Sequence, residues 1–382
     1  MKLKFLCILT ATLMTAACSP SGEQAPAQPI SVKQKSPQIT PAEQMPVPTT
    51  TVEPTPVEQA ESQPLPDSAE TVKAALQERG WYYTESSTSS IFYRKEPATD
   101  ADLVNLPSPK FAFQLTLSRS KVTDVGLAGL HNLNNLAELH LDFTKVTDAG
   151  LAYLRELKSL TFLDLTFCDV TDTGLSHLQN LNNLTGLHLG RTKVTDVGLE
   201  HLRELTTLKT LFLFSTNVTG SGFVHLQKLQ TLTNLNLDDT NITDAGLAHL
   251  CELKSLAELR LKKTAVTDAG LAHLSGLMSL TLLDLSDTAV GDAGLVHLSK
   301  VKSLSRLNLQ GTDVTDAGLA HLSGLTSLVF LDLENTAVTD AGLAHLCEIK
   351  TIRTLLLKGS KVTKSGIAEL EKALPKCIIL SN

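Results

Sequence analysis

From Leu115 onward the chain repeats itself every 24 residues, and no other property narrows its fold as much. One column of the repeat reads Thr123, Thr147, Thr171, Thr195, Thr219, Thr243, Thr267, Gly291, Thr315, Thr339 and Thr363. These eleven positions hold register without an insertion, and the unit is xVTDAGLAHLxxLxxLxxLxLxxT. A short unit at fixed period can bury its apolar side chains only by stacking on its neighbours, which is the plan of a solenoid.

Two periods alternate inside the unit. Leu259 and Leu261 of an LxL core, between Leu256 and Thr264, alternate at period two and predict a short strand with inward leucines. Leu271, Leu274 and Leu277 are spaced by three and predict a helical turn. Asp268 is expected to cap that helix, and Gly270 to permit close packing near the bend.

The pattern LxxLxLxxT resembles the leucine-rich repeat family over residues 112–382. Its LxL cores begin at Leu115, Leu139, Leu163, Leu187, Leu211, Leu235, Leu259, Leu283, Leu307, Leu331 and Leu355. The TDAGLAHL segment looks like the helical half of many bacterial members. It is also similar to F-box-associated repeats, which would be out of place behind an export signal. The resemblance implies an α/β fold: a right-handed solenoid of eleven 24-residue repeats, with a curved parallel sheet on the concave face and short helices on the convex face. Where the family often has asparagine after the strand, this chain has Thr144, Thr192, Thr216, Thr240, Thr264, Thr288, Thr312 and Thr336, with Cys168 and Ser360 as departures. Buried hydroxyls can satisfy the turn backbone in its place.

The ends differ from the middle. Residues 1–17 carry two lysines, an apolar run and then small residues, the plan of a cleaved export signal. The ending TAAC resembles the lipobox of bacterial lipoproteins, which implies lipidation of Cys18, although Thr15 stands where leucine is preferred. Ser19 after the cysteine looks like sorting to the outer membrane of a Gram-negative cell. Plain secretion with Cys18 incidental is the alternative. Residues 18–70 are rich in Pro, Gln, Ser and Thr, with too little to bury to offset the entropy of folding, and read as an extended tether. Residues 71–110 hold the only tryptophan and are expected to form a helix near Val72 to Arg79 and two strand-like pieces, as an N-terminal cap or a small recognition module. The repeats are placed at residues 111–366 and a C-terminal cap at 367–382, where Pro375 breaks the unit.

Chemistry is sparse. Eight of the eleven histidines share one slot: His177, His201, His225, His249, His273, His297, His321 and His345. A repeated slot points to repeated packing, with each ring on the helix flank and one nitrogen bonded locally, rather than to metal. One aspartate per coil is poor material for a calcium site, which wants six to eight oxygens from a compact loop. Neither a GxSxG elbow, nor an HExxH pair, nor a P-loop occurs. Cys251 and Cys347 share a column four coils apart and cannot bridge, and Cys168 stands on the inward ladder. No enzyme, cofactor or metal is expected, and a net charge of -7 gives no reason for a nucleic-acid partner.

Function should then lie where the unit stops dictating the residue. The outward strand positions read Glu138, Phe162, Gly186, Thr210, Asn234 in one column, His140, Asp164, His188, Phe212, Asn236, Arg260 in the next, and Asp142, Thr166, Gly190, Phe214, Asp238, Lys262 in the third. Phe212 and Phe214 face outward together in a chain with 4% aromatic residues, followed by Asn236 and Asp238 and then Arg260 and Lys262. An aromatic pair beside acidic and basic rows is the anchor and rim of a candidate partner-binding site. Drift tolerated by a stable scaffold would leave the same pair. The reading is a noncatalytic, membrane-tethered scaffold in the cell envelope that binds a protein, or a glycan, across its concave face. A structural or self-associating envelope spacer is the alternative.

Overall fold

The computed structural model describes residues 69–85 and 90–381. The export signal, Cys18 and nearly all of the tether lie outside the described residues. Among the described residues no helix is long and apolar enough to cross a membrane.

The strands are β1 (Tyr82–Glu85), β2 (Ser90–Tyr93), β3 (Phe113–Thr116), β4 (Leu136–His140), β5 (Phe162–Asp164), β6 (Gly186–His188) and β7 (Thr210–Phe212). They continue as β8 (Asn234–Asn236), β9 (Glu258–Arg260), β10 (Leu282–Asp284), β11 (Arg306–Asn308), β12 (Phe330–Asp332), β13 (Thr354–Leu356) and β14 (Ile378–Leu380). All lie in one sheet in chain order. Every pair from β2 to β14 is parallel, but β1 and β2 are antiparallel, so the sheet is mixed where a purely parallel one is expected. Four residues separate β1 from β2 in the sequence, too few for the crossover that parallel strands require. The C-terminal stretch adds β14 to the sheet, with Leu355 paired to Ile379.

Pairing advances by one repeat at each step, Leu139 to Leu163 and Leu163 to Leu187, which stacks like on like. Leu256, Leu259, Leu261, Leu271, Leu274 and Leu277 are all sealed from solvent, as are their counterparts up and down the stack. Each such leucine contributes about 1.5–3 kcal/mol relative to exposure. At the front, helix α1 (Ala69–Glu78) buries Val72 and Leu76 in the same core as Trp81 and Phe92.

The side opposite the strands is a row of single turns. Asp268–Leu271 is α-helical and continues as the 3-10 helix Ala272–Gly276; Asp292–Leu298 is α-helical throughout, and Gly198–Leu202 and Ser221–Leu226 are 3-10. The residue that caps the turn is threonine, not aspartate: the Thr267 hydroxyl accepts from Ala269 N at 3.4 Å. Asp268 sits one residue inside and reaches the next coil, where it accepts from Gly291 N at 2.7 Å. Its counterpart Asp244 accepts from both the backbone N–H and the hydroxyl of Thr267, at 2.8 and 2.7 Å. A Cβ on Gly270 would collide with the Asp244 carboxylate, which is why glycine follows in the unit. TDAG is therefore a clasp between coils as well as a helix start.

The buried threonines after the strand satisfy their own turn: Thr264 donates to Leu261 O at 2.7 Å and Thr288 to Leu285 O at 2.6 Å. Between strand and threonine lies one residue with positive φ per coil. It is glycine at Gly311 and Gly359 but Arg119, Phe143, Phe167, Arg191, Ser215, Asp239, Lys263, Asp287 and Asn335 elsewhere. A left-handed conformation costs a residue with a Cβ about 1–2 kcal/mol.

Candidate partner-binding face

The sheet has one face on the core, and the alternate positions form the concave face of this type of coil. In register across β4 to β9, His140, Asp164, His188, Phe212, Asn236 and Arg260 form one row. Phe212 and Phe214 are on this face but half-buried, so they are less free than the sequence suggests.

His188 covers Phe212, and Gly190 makes room for Phe214. A Cβ on Gly190 would come within 2.3 Å of the Phe214 ring, and one on Gly186 within 2.6 Å of the Phe162 ring. Phe162 thus lies over β6 and Phe214 over Gly190 just beyond it, from opposite sides. His188 stacks on Phe212 at 4.2 Å with an 11° interplanar angle and meets Phe162 edge-on at 4.8 Å, while Phe162 lies 5.0 Å from His140. The aromatic floor therefore runs from Phe212 and Phe214 toward the N-terminus, through residues the sequence reading set out but did not select.

At the edge of this floor the left-handed corner positions form a second stack. The Arg119 guanidinium lies 4.7 Å from the Phe143 ring, Phe143 lies 4.0 Å from Phe167 at 19°, and Arg191 lies 4.9 Å from Phe167. Phe143 and Phe167 remain 42% and 38% exposed, large values for rings held in a costly conformation. Their spacing of 24 was the available clue, in a column the sequence reading left aside.

The four polar candidates follow on β8 and β9. Asn236 accepts from Asp238 N at 2.9 Å and Asp238 from Lys262 N at 2.9 Å, so two of them hold the backbone. Burial pushes the Asp238 carboxyl up, more than the Lys262 N–H lowers it. Lys262 pairs with Asp287 at 3.6 Å. Arg260 faces a shallow depression of about 240 Å³ lined also by Leu282, Asp284, Arg306, Asn308 and Phe330.

At the ends of β4 and β5 donor atoms of His140, Asp142 and Asp164 lie within 4.8 Å of one another. Asp164 accepts from Thr166 N at 2.9 Å and from His188 Nδ1 at 3.4 Å. Burial works to raise its pKa, but these hydrogen bonds overcome it and hold the carboxyl below the usual aspartate range. The helix-side histidines, by contrast, are half-buried or exposed, and among the described residues none of those eight rings makes a hydrogen bond, so local bonding of one nitrogen is not what places them.

Comparison with known proteins agrees with this architecture. The family model described as Leucine Rich repeat matches residues 156–178, 228–251, 276–299 and 302–323. An internalin, inlF, from Listeria monocytogenes shares 21% identity, with 82% of this chain and 93% of that one covered and a TM-score of 0.50. The leucine-rich-repeat protein LIC12759 of Leptospira interrogans shares 21%, with 69% and 77% covered and a TM-score of 0.53. No curated protein matches the sequence. The fold is that of a leucine-rich-repeat solenoid, with a mixed, mostly parallel sheet on one side and short helical turns on the other.

Proposed function

We propose that this leucine-rich-repeat chain is a recognition scaffold of eleven right-handed 24-residue coils, held to the outer membrane of a Gram-negative cell envelope by lipid on Cys18. Its partner is a protein, bound over the concave face. Residues 71–110 and 367–382 close the two ends of the sheet, and the tether of about fifty residues lifts the scaffold from the bilayer. Two or more acyl chains make a stable anchor, where one would not.

The observation that carries this reading is the continuous aromatic floor of Phe162, His188, Phe212 and Phe214 on an outward sheet face, in a chain only 4% aromatic. Rigid rings flanked by charge, here Arg260 and Lys262 beyond Asn236 and Asp238, are the usual anchors of protein interfaces.

Crosslinking pull-down from the source cell with the full chain, beside Phe212→Ala/Phe214→Ala and Arg260→Ala/Lys262→Ala variants, tests it. A partner held by the wild type, lost by the first variant and weakened by the second supports the reading. A partner held equally by all three moves the site off this face. Loss of the captured species to glycosidase rather than protease would make it a glycan. The spacer alternative has one observation in its favour, the open edge of β14 with Ile378 62% and Leu380 53% exposed. Concentration-dependent dimers abolished by Ile378→Lys would favour it.

A further inference from the structure

Within the strand face, β4 and β5 gather a group of donors that the aromatic floor does not explain. The His140 ring and the carboxylates of Asp142 and Asp164 bring one donor atom each to within 4.8 Å of the others, and all three side chains are half-buried. Glu138 Oε2 stands 3.7 Å from His140 Nε2, so a third carboxylate borders the group. Among the described residues no lysine or arginine forms an ion pair with Glu138, Asp142 or Asp164; their only ion-pair neighbours are the two histidines. Three carboxylates close together on a half-buried surface without a fixed cation repel one another, and a bound cation would relieve that.

Two of the three donors are already oriented from behind. Ser118 donates its hydroxyl to Asp142, and His188 Nδ1 approaches Asp164 at 3.4 Å. Hydrogen bonds of this kind to ligating carboxylates fix ligand geometry in metal centres.

We propose that His140, Asp142 and Asp164 form a site for one divalent transition-metal ion of the zinc type, with Glu138 or water completing the shell. One nitrogen and two carboxylate oxygens suit zinc, and the nitrogen disfavours calcium or magnesium, which take oxygen donors. Donors around tetrahedral zinc stand about 3.4 Å apart, so the side chains close in by about 1 Å through rotation about their own bonds. The site departs from the expectation of no metal, which was weighed on the helix-side histidines. Those present one ring per coil with no carboxylate partner, whereas His140 ends β4, Asp142 follows two residues on, and Asp164 is paired in register with His140 on β5. The proposal stands apart from the partner reading and holds whether or not a protein binds the same face.

The test is calorimetric titration of the metal-stripped full chain with zinc chloride. One zinc ion per chain is expected, with affinity weakened at least tenfold by His140→Ala and by Asp142→Asn. His188→Gln should weaken it about tenfold by releasing Asp164. His249→Ala and Cys251→Ser/Cys347→Ser should leave it unchanged. Thermal melts of each variant without metal check that the coil is intact, and zinc should raise the melting temperature of the wild type and of the His249 and cysteine variants, but not of His140→Ala or Asp142→Asn. No stoichiometric uptake by the wild type overturns the proposal. So does uptake that survives both His140→Ala and Asp142→Asn, or that follows the thiols.

Discussion

On the helix side, Asp244 and Asp268 occupy one slot and make one bond, each holding the N–H of the coil that follows. On the strand face, Asn236, Arg260 and Asp284 stand at the same spacing, paired in register, yet only Asn236 and Asp284 share a bond, each accepting from the N–H two residues on at 2.9 Å. Stacking explains the difference. A helix-side residue must fit a neighbour identical to itself, so one solution is repeated. A strand-face residue meets solvent, and the backbone already supplies the bonds that hold the sheet. The coil is thus specified more tightly on one side than on the other.

The sharpest way to break that comparison is to place a side chain at one glycine of each kind. Gly270→Leu puts carbon into the Asp244 carboxylate and against Leu247 inside a packed helix side. It should cost about 3 kcal/mol in urea denaturation. Gly190→Ala displaces only the Phe214 ring, which can swing into solvent, and should cost about 1 kcal/mol. Equal costs would mean the strand face is as tightly specified as the helix side.

Removing the clasp itself comes next. Asp268→Ala leaves Gly291 N without its acceptor and should lower stability by about 1.5 kcal/mol, whereas Arg260→Ala on the strand face should cost under about 0.5 kcal/mol.

Acid titration sharpens the contrast further. Burial raises the Asp196 pKa, but bonds from Thr219, Gly220 and Gly222 overcome it, so the folded value lies below the unfolded one. That contribution is fully present above the unfolded value near 4 and is lost as pH falls through the folded value. Asp238 on the strand face is shifted the other way, chiefly by burial, and opposes folding at neutral pH. Denaturation midpoints against pH should therefore fall more gently below pH 4 in Asp196→Asn than in the wild type, and Asp238→Asn should be no less stable than the wild type at pH 7.

The smallest effect is expected at the repeated histidine. His249→Ala should shift stability by less than about 0.5 kcal/mol, because the ring makes no hydrogen bond among the described residues and is half-buried. A larger loss would show that packing on the helix flank does more than these contacts indicate.

Most of the coil was legible because it is dictated by identity between neighbours. The first leucine of each LxL lies in a strand from β3 to β13 with the second directly after it, and Leu271 and Leu274 lie in helical turns with Leu277 just beyond. The aspartate was misread for the same reason it was noticed. Its place in the unit is visible in one coil, but its acceptor role spans two, and periodicity alone does not say which neighbour a side chain reaches. Phe212 and Phe214 were visible as a pair, yet their company was not. Whether the Phe214 ring turns toward the coil before it or the one after depends on room, and the room comes from Gly190, 24 residues earlier. Adjacent columns of Phe162 beside Gly186 and Gly190 beside Phe214 were the available signal. The polar half of the candidate site was read from charge alone, which cannot show that Asn236 and Asp238 are already engaged with the backbone.

The clasp is missing at one junction. Gly220 stands where the aspartate would be, at φ 100°, and its coil meets the next through Thr243 N to Thr219 O at 3.4 Å and through close approach to Gly246. A rod pulled from its two ends does not stretch evenly but parts at its weakest seam. Under load the helix side between Thr219 and Thr243 would open first, and the β7–β8 ladder alone would carry the force. In a pulling trace the first rip would divide the chain just beyond Phe212 and Phe214, leaving the aromatic floor whole on the N-terminal fragment.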